Sequence, residues 1–217
     1  MWLHFVTSSI GIGLVLFLVA GTIDYWQAWV YLGANAVSGI PLMLLFLKDP
    51  LLLENRTKAG PTKEKRLVQK IIVSLTSIPA VATFIVPGLD HRFGWSSMPW
   101  WLPLFGDLLI LVGMWMVYRV FKENPYGSAT VEVASGQKVI STGPYAVVRN
   151  PMYASGAVYL FGLSVALGSY WGLIASLLTV LGLVWRFFDE EGFLAQNLPG
   201  YKEYCAKVRW HLIPWIF

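Results

Sequence analysis

Arg186 and Glu190 stand four residues apart at the end of a long apolar run, a spacing that puts both side chains on one face of a helix. An arginine in the last apolar turn of a membrane span is costly unless it is paired or faces a polar cavity. It is read either as a snorkelling side chain paired with Glu190 or Asp189, or as a cation able to hold an anionic group beside a carboxylate able to take a proton. A second cluster runs from Gly143 to Tyr153. Pro151 can open a helix without losing a hydrogen bond, and Asn150 just before it is placed to cap that helix. The resulting N-terminus favours anions, and Arg149 beside it is read either as a second hand on a carboxylate or phosphate, or as an anchor to lipid headgroups. A third cluster lies near the end of the sequence: Tyr201 and Tyr204 share a helical face, and Arg209 precedes Pro214 and Trp215. These residues can stack on a purine or close a lid, or they belong to an interfacial aromatic belt.

Other polar residues carry less. His4, His91 and His211 are scattered and Cys205 is the single cysteine, so neither a metal site nor an internal disulfide is expected. Asp107, after Gly106 in an apolar run near the outer end of its span, is given a packing or capping role. Gly11-Ile12-Gly13 lies inside an apolar run with no preceding strand, which suits helix packing and not a nucleotide-binding turn.

The elements that position these residues follow from composition. Of 217 residues, 56% are apolar and 13% charged, with 11 Trp and a net charge of +4. A soluble domain carries about 25% charged residues, so this is read as an integral membrane protein. Apolar runs long enough to span occur at about 5–23, 26–47, 67–86, 101–120, 152–168 and 171–188. The last two are short and are expected to form a tight hairpin around Leu167–Gly172. Six spans consume roughly 120 residues, which leaves too few for a separate catalytic domain. The first run has no basic region before it and no small-residue cleavage site after it, and is expected to be a retained span.

Placing the 48–66 loop and both termini in the cytoplasm assigns 15 of the 16 basic residues to that side, leaving Arg92 outside. The expected location is therefore a multi-pass protein of a bacterial or archaeal inner membrane, with its active site on the cytoplasmic face. The 48–66 loop is read either as an amphipathic stretch on anionic lipid or as a solvated connector. Val131-Glu132-Val133 and Val139-Ile140, on either side of Ser135-Gly136, predict a small β-hairpin. After Leu198-Pro199-Gly200, a helix-compatible stretch runs to Pro214. The basic residues form no single patch interleaved with aromatics, so nucleic acid is not expected as a partner. No span is broken in the repeated-half pattern of a transporter.

The order and spacing of four blocks, over about 124–215, resemble the isoprenylcysteine carboxyl methyltransferase family of membrane methyltransferases and its relatives, the phospholipid N-methyltransferases. The blocks are Gly136-Gln137-Lys138-Val139-Ile140-Ser141-Thr142-Gly143-Pro144-Tyr145, Arg149-x-Pro151-x-Tyr153, Arg186 with Glu190-Glu191, and Leu198-Pro199-Gly200-Tyr201-x-x-Tyr204 with Arg209 before Pro214. The resemblance implies an all-α integral membrane protein of five to six transmembrane helices, whose C-terminal cytoplasmic helical segment forms the cofactor pocket without a Rossmann domain. It divides the chain into residues 1–120, four spans on the substrate side, and 121–217, the methyltransferase core. It implies S-adenosylmethionine as donor and S-adenosylhomocysteine as product. Tyr145, Val148, Arg149, Asn150, Tyr153, Glu191, Tyr201 and Tyr204 are the cofactor residues by position, and Arg186 and Glu190 the catalytic pair at the acceptor side.

The implied acceptor is a lipid or lipidated small molecule entering from the bilayer, with an isoprenylcysteine-type carboxylate first and a phospholipid amine or other small amine or thiol as the alternative. One position departs from the family's Arg-His-Pro-x-Tyr: Asn150 replaces the histidine. Asparagine donates or accepts as one imidazole nitrogen does but does not titrate near neutral pH. It keeps a contact to the cofactor at a cost of about 1 kcal/mol, or it marks a catalytically silent protein that retains the fold.

Overall fold

The computed structural model describes residues 2–49, 62, 64, 66–126, 130, 131, 133 and 136–217. Among these, every regular element is helical: α1 (Trp2–Ala20), α2 (Trp26–Lys48), α3 (Leu67–Phe93), α4 (Trp101–Glu123), a 3₁₀ turn (Gly143–Ala146), α5 (Pro151–Ala166), α6 (Tyr170–Asn197) and α7 (Tyr201–Lys207). Four of them, α2, α3, α4 and α6, are long and apolar enough to cross a membrane, and α1 and α5 are shorter apolar helices. A backbone in lipid has no water to bond to, so each apolar run closes its own hydrogen bonds as a helix. Leucine, isoleucine and tryptophan cover the outside of the bundle, as on Leu18, Ile78, Trp115 and Leu181. The protein is thus an all-α, multi-pass membrane protein.

Small residues set the closest approaches. On α4, a Cβ at Gly106 would lie 2.2 Å from the Ala166 amide nitrogen, and one at Gly113 would lie 3.0 Å from that of Tyr159. These two glycines let the backbones of α4 and α5 meet, the device helices use in lipid, where apolar burial alone gives no drive to associate. Gly182 of α6 fits Thr76 of α3, and Gly88 of α3 fits Val19 of α1, in the same way. A core of Leu16, Tyr25, Ala28, Tyr31, Ile110 and Leu163 fills the space among α1, α2, α4 and α5.

Several expectations change. The sixth span does not stop near Phe188: α6 continues through Asn197 and carries Arg186, Asp189, Glu190 and Glu191 on one rigid rod. α5 has 16 residues, about 24 Å of helix, less than the hydrocarbon thickness of about 30 Å. The hairpin turn between α5 and α6 forms as expected, with the Ser169 hydroxyl accepting from the Gly172 amide to cap α6. α7 ends at Lys207 and not near Pro214, because the following carbonyls are used elsewhere: Arg149 donates from its backbone to Trp210 and Asn150 to His211. No strand forms among the described residues. Val131 directs its amide to the Glu64 carboxylate in place of a strand partner, and Glu132, Ala134 and Ser135 of the expected hairpin lie outside the described residues. The 50–61 part of the connector also lies outside them.

Asp107 is not a cap. It sits six residues into α4, 6% exposed, and neither carboxylate oxygen has a hydrogen-bond partner among the described residues.

Candidate active site

The helices alternate in direction, so the start of α3, the end of α4, the start of α5 and the end of α6 meet at one end of the bundle. There they enclose a cavity of about 350 Å³. Its floor is α5 and α6, its cover is Thr130, Val131 and residues 137–140 of the α4–α5 loop, and its side is Leu198, Tyr201 and Tyr204.

Tyr153 lies in the first turn of α5, which starts at Pro151 because proline needs no donor there. Its hydroxyl donates to Glu190 Oε2 at 2.5 Å and accepts from Arg186 Nε at 3.2 Å. Arg186 Nη2 donates to Glu64 Oε1 at 2.6 Å. Glu64 is 3% exposed, and its other oxygen accepts from the Val131 amide at 3.3 Å. The result is a row, Glu64, Arg186, Tyr153, Glu190, drawn from three separate parts of the chain. A hydroxyl between a guanidinium and a carboxylate is polarised from both sides and fixes both groups.

A second network holds the C-terminal segment. Arg149 Nε donates to the Val208 carbonyl at 2.6 Å, its Nη2 to the Cys205 carbonyl at 2.9 Å, and its Nη1 faces Glu191 at 3.4 Å. The Asn150 side chain does not cap α5. Its Nδ2 donates to Glu191 Oε1 at 2.5 Å, and the same oxygen meets His211 Nδ1 at 2.9 Å. Arg149 and Asn150 therefore bind the chain's own tail and the base of α6, which leaves the expected anion site at α5 without its arginine. Tyr204 donates to the Tyr145 carbonyl at 2.8 Å, and Asn124 Nδ2 donates to the Tyr145 hydroxyl at 2.9 Å, so the 3₁₀ turn is gripped from both sides. Burial holds the phenols of Tyr201 and Tyr204 well above the usual tyrosine range, with Glu191 next for Tyr201 and Tyr145 next for Tyr204. Both stay neutral. Burial also raises the Cys205 thiol, against the opposing pull of Arg149.

Of the site residues expected from sequence, Tyr145, Arg149, Asn150, Tyr153, Arg186, Glu190, Tyr201 and Tyr204 line the cavity. Val148 and Glu191 stand behind the wall: Val148 is buried, and Glu191 ties Arg149, Asn150 and His211 together. Arg209 and Trp215 are exposed and do not line it. Sequence reasoning missed Glu64, His211 and the clamp at Asp189, where Arg66 forks at 2.6 and 2.9 Å and Gln69 Nε2 adds 2.5 Å. The 48–66 charges read as a topology signal because lysines dominate them, which hid the buried carboxylate of Glu64.

Comparison with curated proteins gives no match. Residues 101–199 match the model of the phospholipid methyltransferase family. That stretch contains every cavity-lining residue except Tyr201 and Tyr204. A methyltransferase of this kind implies S-adenosylmethionine as its methyl donor. The cavity-bearing stretch, α4 through the end of α6, is thus similar to the phospholipid methyltransferase family of membrane methyltransferases, related to the isoprenylcysteine carboxyl methyltransferases.

Proposed function

We propose that the protein transfers a methyl group from S-adenosylmethionine to a lipophilic acceptor in this cavity, on the cytoplasmic side of the membrane. The carrying observation is the Arg186–Tyr153–Glu190 row set in the wall of a cavity that the family match spans. The lining suits the donor. A volume near 350 Å³ is within the range of small-molecule pockets, about 300–1,000 Å³. Tyr201, Tyr204, Leu194 and Leu198 offer a face for an adenine ring, and Glu190 offers a negative group for a sulfonium. When bound, the donor supplies a methyl on a positive sulfur, which keeps the bond's electron pair as the acceptor's lone pair attacks.

The chain's own tasks are alignment and exclusion of water. Glu191, held by Arg149, Asn150 and His211, fixes the tail against α5 and closes one wall. Asn150 fills the family's histidine position as a donor to Glu191, a role that needs no titration. Arg186 is placed to hold an isoprenylcysteine-type carboxylate, which reacts ionised and needs no base. The Tyr153 hydroxyl on Glu190 supports a second reading, a phospholipid-type amine, because an ammonium must first give up a proton and Glu190 is within one hydrogen bond of a relay.

Calorimetry with S-adenosylhomocysteine and a labelled-methyl transfer assay test the proposal together. Binding at micromolar concentration, with transfer to a lipid extract, is expected. No binding at millimolar concentration overturns it. Arg186→Ala is expected to lower turnover at least about 100-fold, the size of a lost charged contact to the reacting group, with product affinity within about threefold.

A further inference from the structure

Arg209 and Trp215 do not line the cavity, yet they flank the two residues that hold its wall in place. The Trp210 carbonyl accepts from the Arg149 amide at 2.8 Å, and the His211 carbonyl from the Asn150 amide at 3.0 Å. Beyond them the chain turns sharply. The Leu212 and Ile213 amides both donate to the Phe217 carbonyl at 2.9 Å, and the Ile216 and Phe217 amides return to the Ile213 carbonyl at 3.2 and 3.0 Å. Trp215 in this turn has a φ of 63°, alone among the described non-glycine residues in the left-handed region, which bulky side chains avoid. The strained turn leaves Trp215 82% and Ile216 76% exposed, with Ile213 exposed beside them.

The fold sets the depth of this apolar knuckle. Along α6, Ile174, Leu178, Leu181, Trp185 and Phe188 are exposed at intervals of three and four residues, which makes one lipid-facing stripe. Phe188 ends the stripe, and the Phe217 ring packs 6.1 Å from it and 6.3 Å from Phe187. The turn therefore continues the lipid face of α6 at the level where the charged run Asp189-Glu190-Glu191 begins, the boundary between hydrocarbon and headgroups. The charges of residues 201–217 complement an anionic surface: Lys202, Lys207 and Arg209 are exposed, against Glu203, and His211 is engaged by Glu191. We propose that Ile213, Trp215 and Ile216 dock into the anionic surface of the bilayer, with Lys207 and Arg209 on its headgroups, and that this contact holds Trp210 and His211 against Arg149 and Asn150.

The physical argument rests on where such a surface is stable. In water an exposed cluster of tryptophan and isoleucine is unfavourable, whereas the interfacial layer takes the indole ring and the apolar side chains together and offsets the strain of the turn. The two cations add an attraction that grows with anionic lipid and is screened by salt. Arg149 and Asn150 line the cavity, so two backbone hydrogen bonds carry the lipid contact to its wall. The docking goes beyond the transfer reaction and needs neither methyl donor nor acceptor.

The test follows hydrogen exchange of the Arg149 and Asn150 amides in full-length protein, in nanodiscs of phosphatidylcholine with or without phosphatidylglycerol. Wild type is expected to exchange at least about fivefold more slowly with the anionic lipid, and to lose that difference at high salt. Trp215→Ser and Arg209→Glu are each expected to speed exchange at least about fivefold in the anionic discs. Rates within about twofold between the two lipids, and between wild type and both variants, overturn the proposal. Ile216→Cys in a Cys205→Ser background, carrying an environment-sensitive fluorophore, locates the turn. Quenching by a lipid nitroxide at the headgroup boundary is expected, and quenching by aqueous iodide alone overturns the docking. Shielding that grows with the number of copies per nanodisc also overturns it, because the occupant is then a second copy. Should a variant not fold, the wild-type lipid comparison decides alone. A lipid-dependent latch in protein that binds no S-adenosylhomocysteine sinks the methyltransferase reading and leaves the docking standing.

Discussion

The Tyr153 hydroxyl joins the two charged groups that the sequence offers for chemistry, donating to Glu190 and accepting from Arg186. Its removal in Tyr153→Phe leaves the ring in place, 5.8 Å from Phe187, but strips a charged hydrogen bond of about 1.5–3 kcal/mol. Turnover is expected to fall about 10- to 100-fold with product affinity unchanged, measured by labelled-methyl transfer beside calorimetry. Cys205 gives a second prediction at this scale. Burial raises its thiol, so less thiolate is present at pH 8 than in a free cysteine. Alkylation by iodoacetamide is expected to be at least about threefold slower than that of glutathione at pH 8, and to accelerate as pH rises past 9. Arg186 and Glu190 were legible in the sequence because charge in an apolar run is conspicuous. Glu64 was not, because a lone carboxylate among lysines has nothing local to show that it folds inward.

At the level of elements, two devices hold the site: the glycine seam between α4 and α5, and the return of the tail across α5. Gly106→Ala puts a methyl 2.2 Å from the Ala166 amide nitrogen, where backbone cannot yield, and is expected to cost at least about 2 kcal/mol in thermal unfolding. Gly156→Ala is the control, with only the Leu183 Cδ1 at 3.8 Å, and is expected to stay within about 0.5 kcal/mol. The tail makes a pH prediction. Tyr201 and Tyr204 hold their protons more tightly folded than unfolded, so the unfolded phenols ionise first and stability falls as pH rises past about 10. Below that pH both states are protonated and these groups add no slope. Tyr201→Phe is expected to flatten the alkaline limb of the unfolding curve followed by fluorescence. The start of α5 was legible, since Pro151 after Asn150 is a local signal. The end of α7 was not, because Arg149 takes the Val208 carbonyl from 59 residues away.

Over the whole molecule, the two ends of the bundle divide the work. One end gathers the cavity and its charges. The other is fastened by Asp90, buried at the end of α3, which accepts from the Ser96 amide and hydroxyl at 2.6 Å each and from the Ser169 hydroxyl. That carboxylate ties α3 to the α5–α6 turn and so sets how far α6 slides along α3. Asp90→Ala leaves those donors unmatched and is expected to lower stability by about 3 kcal/mol while S-adenosylhomocysteine still binds at low temperature. Loss of binding in a protein that remains folded would contradict the division.

The sequence by itself determined the membrane class, the six apolar helices, their alternation, and the end of the bundle at which the charged motifs collect. These are local consequences of apolar run length and of backbone groups that must bond within their own helix in lipid. Only the tertiary structure decided the partners: Glu64 for Arg186, Asp189 for Arg66, and the Val208 and Cys205 carbonyls for Arg149. Composition fixes how many charges meet at the site. Which of them face one another depends on the rotation and axial register of packed helices, and side chains more than fifty residues apart carry no local record of it.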